Sequence, residues 1–409
     1  MTVYLVGGAV RDKLLNLPVV DRDWVVVGSN TREMLAAGYK SVGKDFPVFL
    51  HPDSHEEYAL ARVERKTGSG YHGFQFSTDP SVTLEEDLSR RDLTINAIAQ
   101  TVDGELVDPF GGKSDIDQRV LRHVSDAFVE DPVRVLRVAR FMARFGHMGF
   151  RVADETLELM RGMVSGGEVD HLVAERVWQE MSRALLAQTP AAFFQTLRDC
   201  QALAVILPEV DALFGVPQPA RWHPEIDCGI HTMMVLEQAS LASRELDVRF
   251  AALCHDLGKA TTPADILPSH TGHEKRGAVI TRSLCERLRV PGKMRDLAIL
   301  TARWHTHCHR CRELKAGTLV KLLQKMDVAR KPARFDQYLE ACAADARGRL
   351  GFEDCSYTQK EYLREAARHF RQVDEAAIAR ASSDKSAIAQ NITDARVSAI
   401  RRWQDSSDR

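Results

Sequence analysis

Asp21 and Asp23 stand two residues apart, just ahead of the β-branched run Trp24–Val27. Strand side chains alternate faces, so residues i and i+2 point the same way. Two carboxylates held side by side repel unless cations lie between them. Phosphoryl transfer uses that arrangement, with two Mg2+ ions roughly 3.5–4 Å apart activating the attacking hydroxyl and stabilising the leaving oxygen. A solvated Asp-x-Asp turn has the same spacing, so the pair gains meaning from its surroundings. Upstream, Gly7-Gly8-x-x-Arg11-Asp12 falls between an apolar run, Val3–Val6, and an amphipathic segment, Ala9–Leu15. Glycines let backbone approach a phosphate, a helix start offers free N–H groups to an anion, and Arg11 can add a charge-assisted bond to the same group. An ordinary strand–turn–helix junction is the plainer alternative for the glycines taken alone.

Two arginine-bearing segments follow. Arg90-Arg91-Asp92-Leu93-Thr94-Ile95-Asn96 places two guanidinium groups ahead of an expected apolar helix. Glu130-Asp131-Pro132 opens a second helix, with proline in the first turn, where it is tolerated. At about 100° per residue, Arg134, Arg137, Arg140 and Arg144 share one stripe, with Val135, Leu136, Val138, Ala139 and Met142 mostly opposite. The stripe is either a solvated basic face or a comb of guanidinium groups turned to a triphosphate and a base. Asp131 and Arg134 sit on neighbouring positions of the first turn and together offer acceptors and donors to a base edge.

The elements that position these residues are mixed. Strands are expected at Val3–Val6, Trp24–Val27 and Tyr58–Val63, with shorter extended pieces at Leu106–Pro109 and Val120–His123. Thr67–Gly73 carries three glycines and reads as a mobile loop. Asp108, in a DPFGG turn, is a candidate third metal carboxylate, although a structural turn explains it equally simply. From Asp126 onward the pattern is helical. Phe214–Pro224 holds three prolines and reads as a linker, and a second helical unit runs from His231 to about Val328. The last stretch is helical and polar, with a frayed end.

That second unit has its own chemistry. Val248–Lys259 is an apolar helix that delivers His255-Asp256 at its last turn, with Gly258 ending it. Imidazole and carboxylate together suit a hydrolytic divalent metal. His231 lies upstream, and His273 and His305 follow. His307, Cys308, His309 and Cys311 are also metal-capable, but a zinc site needs a second pair of ligands, so a reduced CxxC is the preferred reading.

Composition sets the class. The 409 residues are 44% hydrophobic and 27% charged, and exceed one ordinary core, so two to four units are expected. The formal net charge is −2, so any footprint for nucleic acid must be local. No apolar run approaches the roughly 18 residues of a membrane helix, and the first residues lack the basic region of a signal peptide. Eight cysteines between residues 200 and 355 read as reduced cytosolic thiols.

In this order, GGAVRD, DRD, RRDLTINAIA and EDPVRVLRVARF resemble the class II tRNA nucleotidyltransferases, the bacterial CCA-adding enzymes of the polymerase-β-like superfamily. The HDLGK segment with its outlying histidines is similar to the HD phosphohydrolase superfamily, and the whole chain resembles the long bacterial form that joins both. The resemblance implies an α+β polymerase-β-like nucleotidyltransferase head over residues 1–125. An all-α neck with the nucleotide-reading helix (126–225), an HD domain (226–330) and a helical tail (331–409) follow. It implies that Asp21 and Asp23 hold Mg2+ and act catalytically, and that Gly8, Arg11, Arg91, Arg137 and Arg140 bind CTP or ATP. Glu130, Asp131 and Arg134 correspond to the motif that reads the base. It further implies that His231, His255, Asp256, His273 and His305 hold a divalent transition metal, Ni2+ among them, with His255 and Asp256 catalytic. A closing aspartate ligand, with Asp327 the candidate, is implied only by the resemblance to the HD phosphohydrolase superfamily. The expected activity is template-independent addition and repair of the 3′-terminal CCA of tRNA. The HD residues add 2′,3′-cyclic phosphodiesterase, 2′-nucleotidase and phosphatase activity. The expected protein is cytoplasmic, a monomer or homodimer, with tRNA, CTP and ATP as partners, and its carboxy-terminal helices would meet the tRNA elbow by shape and backbone contact. A poly(A) polymerase shares the head motifs but not the HD signature. A phosphohydrolase with a non-catalytic RNA-binding head, or a tRNA-binding scaffold, would have no use for intact Asp21 and Asp23.

Overall fold

Strand alternation builds the N-terminal sheet. A computed structural model describes residues 1–42, 48–66 and 74–407; the glycine loop 67–73 lies outside them. The first strands are β1 (Thr2–Val6), β2 (Asp23–Val27), β3 (Lys40–Val42), β4 (Val48–Leu50) and β5 (Glu57–Leu60). They are followed by β6 (Val63–Lys66), β7 (Phe74–Ser77), β8 (Ala99–Gln100) and β9 (Leu106–Val107). Seven form one sheet in the order β3-β4-β5-β2-β1-β8-β9, and β6 with β7 forms a separate pair. Central β2 runs antiparallel to β1 and parallel to β5. Its alternate residues serve two cores: Val25 joins Val6, Leu88 and Ala99 on one face, and Val26 joins Phe49, Tyr58 and Leu60 on the other. The expected strand Tyr58–Val63 is therefore two strands, with a break at Ala61–Arg62.

Two helical expectations change around the arginines. Arg90 and Arg91 do not precede an apolar helix; they close Leu84–Ser89, which opens on a capping box between Thr83 and Glu86. The arginine helix is Val133–Phe145, and Asp131 Oδ1 accepts the Val133 N–H at 3.0 Å, satisfying one donor of its first turn.

The chain divides into two compact units, Met1–Ala184 with Ala192–Ile206, and Leu185–Ala191 with Leu207–Arg409. In the second, helices Cys228–Ala242, Leu246–Cys254 and Pro332–Arg347 meet through Val235, Ala239, Ala252 and Ala344, mostly small residues that permit close approach. The helix carrying His255-Asp256 ends at Cys254, so Gly258 is not its left-handed stop. Gly258 lies in the 3-10 turn Leu257–Thr261, where a Cβ would stand 2.0 Å from the His273 carbonyl oxygen and 2.4 Å from the Gly277 nitrogen. Backbone on both sides cannot yield cheaply. Gly258→Ala is expected to cost about 3 kcal/mol or more, read by thermal unfolding. The exposed helical Gly317, with nothing within 4 Å of its Cβ position, should gain about 0.5–1 kcal/mol on the same change. Equal shifts for the two variants would refute the close-crossing argument.

The carboxy-terminal end is not frayed through residue 407. Helix Ile388–Ser407 buries Trp403, and Gln404 Nε2 donates to the Leu314 carbonyl and the Tyr362 hydroxyl at 3.0 and 3.1 Å. Among the described residues no helix is long and apolar enough to cross a membrane.

Candidate functional site

The end of β1 sets the first site. Register pairs Val6 with Asp23, so the Gly7-Gly8 turn and the first residue of β2 lie side by side at one end of the sheet. Gly7 has φ +68°, a conformation that favours glycine, and a Cβ there would come 2.8 Å from Arg91 Nη1, which would have to move aside. Asp21 precedes the strand instead of sharing its alternation, yet both aspartates line one cleft of about 630 Å³ with Gly8, Arg11, Arg91, Asp131, Arg134, Arg137 and Arg140. Partial desolvation by the surrounding cleft walls pushes the Asp23 carboxyl above its usual range although the side chain reaches solvent; the Arg91 charge opposes this and the Asp21 charge adds to it. Such a pair favours a cation, and the donors fit Mg2+, which prefers carboxylate oxygens.

The guanidinium comb faces this cleft, but its members are paired. Arg11 is buried, bonds Asp12 Oδ1 through Nε and Nη2 at 2.9 and 2.8 Å, reaches Asn96 Oδ1, and lies over the Phe141 and Phe145 rings. Arg144 takes the other Asp12 oxygen at 2.7 Å. Arg91 bonds Asp87, which also holds Arg90. Arg137 grips Asp92 Oδ2 through Nε and Nη2, each at 2.7 Å, and Arg140 Nε bonds Glu180 at 2.5 Å. Arg134 is anchored on backbone, donating to the Ala127 and Arg90 carbonyls at 2.6 Å each. Burial alone would raise the Asp92 pKa, but Arg137 and hydrogen bonds from Asn96 and the Leu93 N–H hold that carboxyl well below its usual range. Among the described residues nine arginines and five aspartates line the cleft, so a chain of net charge −2 concentrates positive charge here. The carboxylate anchors Asp12, Asp87, Asp92 and Glu180 are not singled out in the sequence. Asp12 and Asp92 stand inside the quoted motifs, whereas Glu180 has no local signal. Asp108 is outside the cleft: its oxygens accept the Gly112 and Lys113 N–H groups at 2.7 and 2.8 Å, capping the helix Gly112–Gln118.

The second site lies in the other unit. His231, His255, Asp256, His273 and His305 all converge, in two groups whose ligand atoms lie within 4.8 Å of one another: His231, His255 and Asp345; and Asp256, His273 and His305. The closing carboxylate is Asp345, not Asp327. Asp327 caps the helix Ala316–Met326 in a left-handed conformation and bonds Arg330 at 2.9 Å, apart from the cluster. Asp345 is buried on Pro332–Arg347, with Oδ1 at 3.2 Å from His231 Nε2 and Oδ2 at 2.7 Å from His309 Nε2. Asp256 Oδ2 lies 3.1 Å from His255 Nε2 and 2.6 Å from Lys259 Nζ, while Oδ1 lies 3.4 Å from both His273 Nε2 and His305 Nε2.

The imidazoles are oriented for a cation. His255, His273 and His305 direct Nδ1 at the carbonyls of Ala252, His270 and Thr301. A carbonyl only accepts, so Nδ1 carries the proton and Nε2 turns inward as a lone pair. Asp256 Oδ1 and His255 Nε2 are buried without a directed hydrogen bond. Burial would lower the His255 pKa, but Asp256 and Asp345 lift it to about 9, whereas burial takes His273 down to about 4. The two carboxylates thus favour positive charge at the centre of the cluster, and a divalent metal fits these donors. Cys308 and Cys311 belong to neither group. Both are buried; Cys308 Sγ accepts the Tyr357 hydroxyl at 3.2 Å, and burial pushes the Cys311 thiol up to about 12.

Three family profiles match the chain: the poly A polymerase head domain over residues 3–122, the probable RNA and SrmB-binding site of polymerase A over 149–214, and the HD domain over 229–329. The multifunctional CCA protein of Thioalkalivibrio sulfidiphilus is 63% identical over 366 residues, 90% of each chain. That of Chromobacterium violaceum is 60% identical over 405 residues, 99% of each chain. The fold is similar to that of a CCA-adding enzyme solved in complex with CTP (20% identity, TM-score 0.64, 98% of this chain and 87% of that one). It is also similar to the Thermotoga maritima CCA-adding enzyme complexed with tRNA (18% identity, TM-score 0.62, 100% and 92%).

Proposed function

The chain belongs to the multifunctional CCA proteins and is a nucleotidyltransferase carrying an HD domain, and from that premise we propose that it adds and repairs the 3′-terminal CCA of tRNA from CTP and ATP without a nucleic-acid template. The observation that carries this reading is the convergence of the Gly7-Gly8 turn, Asp21, Asp23 and the arginine helix on one cleft. The tRNA 3′-hydroxyl attacks the α-phosphate; the new phosphodiester forms as the α–β bridging bond breaks, pyrophosphate leaves and the hydroxyl proton passes to water. Asp21 and Asp23 would hold Mg2+, whose charge activates the hydroxyl and stabilises the leaving oxygen. Gly8 lets the triphosphate approach the backbone, and Arg11, Arg91, Arg137 and Arg140 bind the nucleotide. Asp131 and Arg134 read the base; two carbonyls fix the guanidinium plane of Arg134, which sets its remaining donors in direction.

For the second unit we propose metal-dependent hydrolysis of phosphate esters, namely 2′,3′-cyclic phosphodiesters, 2′-nucleotides and phosphomonoesters. His231, His255, Asp256, His273, His305 and Asp345 would hold a divalent transition metal such as Ni2+, which supplies a nucleophilic hydroxide at neutral pH. Functional boundaries follow the expected head (1–125), neck (126–225) and HD region (226–330), with the tail contributing Asp345. The protein is proposed to act in the cytoplasm, as a monomer or homodimer.

One assay separates this from the alternatives. With Mg2+, tRNA lacking its CCA end, and labelled CTP and ATP, the expected product gains two C and one A. Unlimited addition of A would support a poly(A) polymerase, and no addition would support a phosphohydrolase with an RNA-binding head or a tRNA-binding scaffold.

A further inference from the structure

Of the four candidate ligand imidazoles that turn Nε2 into the buried cluster of the second unit, His231 differs from the other three. His255, His273 and His305 rest Nδ1 on backbone carbonyls, and only His273 also has a carboxylate near that atom, Glu274 Oε2 at 3.8 Å, beyond hydrogen-bond distance. His231 Nδ1 lies 2.9 Å from a carboxylate oxygen, Glu225 Oε1, and hydrogen-bonds the Gly348 carbonyl at 3.2 Å. Both partners accept, so Nδ1 carries the proton and the Nε2 lone pair faces Asp345 and Asp256. A backbone carbonyl fixes the tautomer; a carboxylate also makes the ring a stronger donor, because its negative charge stabilises positive charge drawn onto the imidazole by a bound cation.

Glu225 follows directly on the three-proline segment that the sequence presents as a linker. Its side chain is 2% exposed. Oε1 also receives His223 Nδ1 at 3.0 Å and Gln218 Nε2 at 3.4 Å, and Oε2 accepts the Leu350 N–H at 3.2 Å. The same segment reaches the other side of the cluster: Gln218 Oε1 accepts from Lys259 Nζ at 2.8 Å, and Lys259 pairs with Asp256. A spacer between domains has no reason to bury a carboxylate against a metal-ligating histidine.

We propose that Glu225 is a positioning residue of the divalent-metal centre, holding His231 in its ligating tautomer and strengthening its Nε2 as a donor. The segment from Gln218 to Glu225 is then part of the metal centre. This rests on the reading of the buried cluster as a cation site.

The test uses the full chain, stripped of metal and titrated calorimetrically with MnCl2 and NiCl2, and with CoCl2 followed by its visible absorption. Glu225→Gln keeps the size and one acceptor oxygen but removes the charge. Its affinity for each cation should fall about 10–100-fold, the usual effect of losing such an outer partner, while CCA addition is unchanged. Glu225→Asp, which keeps the charge, should recover part of the loss, a rescue that a purely structural role would not give and that also serves if the glutamine variant folds poorly. Binding by Glu225→Gln within error of the unmodified protein, or equal losses in both variants, would overturn the inference. If the unmodified protein binds no cation, or His255→Ala binds as tightly, the reading of the cluster itself fails instead.

Discussion

Asp23→Ala is expected to lower CCA addition by about 10³–10⁵-fold, the range that one charged partner of a transferring phosphoryl group carries. Asp23 starts β2 beside the Gly7-Gly8 turn, and Arg91 and Asp21 are the charges it feels. Removing it leaves Asp21 alone, a single carboxylate where two are needed to hold the charge, and leaves the arginines facing the triphosphate with no cation to relay the leaving oxygen. Asp21→Ala should behave alike. Both residues are exposed, so stability should change by no more than about 0.5 kcal/mol; a lost activity therefore cannot be blamed on unfolding. Hydrolysis of 2′,3′-cyclic AMP and binding of Mn2+ to the second unit should be untouched. Retained CCA addition in either variant would remove the transferase assignment from this cleft.

Asp345→Asn is expected to do the reverse, weakening cation binding and cyclic-phosphodiester hydrolysis by more than about 100-fold, beyond what even an outer-shell partner costs, with CCA addition intact. The substitution keeps the shape of the side chain but takes away a charge that three histidines face: His231, His255 and His309. It also removes one of the two carboxylates that lift the His255 pKa, so that value should fall from about 9. His255→Ala should give the same separation of activities. Asp327→Asn is the matched control, since its carboxylate bonds only Arg330 at the surface among the contacts seen, and it should leave metal binding unchanged. An Asp345→Asn protein that binds Mn2+ normally would mean that the closing ligand lies elsewhere.

Much of both sites is legible in the sequence because local signals carry it. The apolar run before Gly7-Gly8, the β-branched run after Asp23 and the three-to-four-residue spacing of the arginines each specify an element from within a few residues. What joins them is long-range. Glu180 meets Arg140 across 40 positions and Asp92 meets Arg137 across 45, separations at which no periodicity speaks. Asp345 lies within a helical stretch and Asp327 follows one, and a helical pattern does not tell a carboxylate turned inward from a solvated one; the packing of Ala344 against Val235 and Ala252 turns Asp345 to the histidines. Prolines signal the lack of regular structure, which is correct for residues 214–224, but not exposure: Gln218 is buried and Glu225 nearly so. Gly258 does not end the helix, which stops at Cys254; it is required by the close backbone of His273 and Gly277, a long-range contact with no local signal.

The arginine row has a consequence for how the cleft selects its guest. Carboxylates hold Arg11, Arg90, Arg91, Arg137, Arg140 and Arg144 and backbone carbonyls hold Arg134, so an incoming anion takes the donors left over and competes with these partners for the orientation of each guanidinium group. A lone phosphate can offer too few bonds to displace them, whereas a triphosphate engages several guanidinium groups at once and tips the exchange. The cleft therefore sets a threshold on anion valence, and inorganic phosphate should be a poor competitor of CTP even at high concentration.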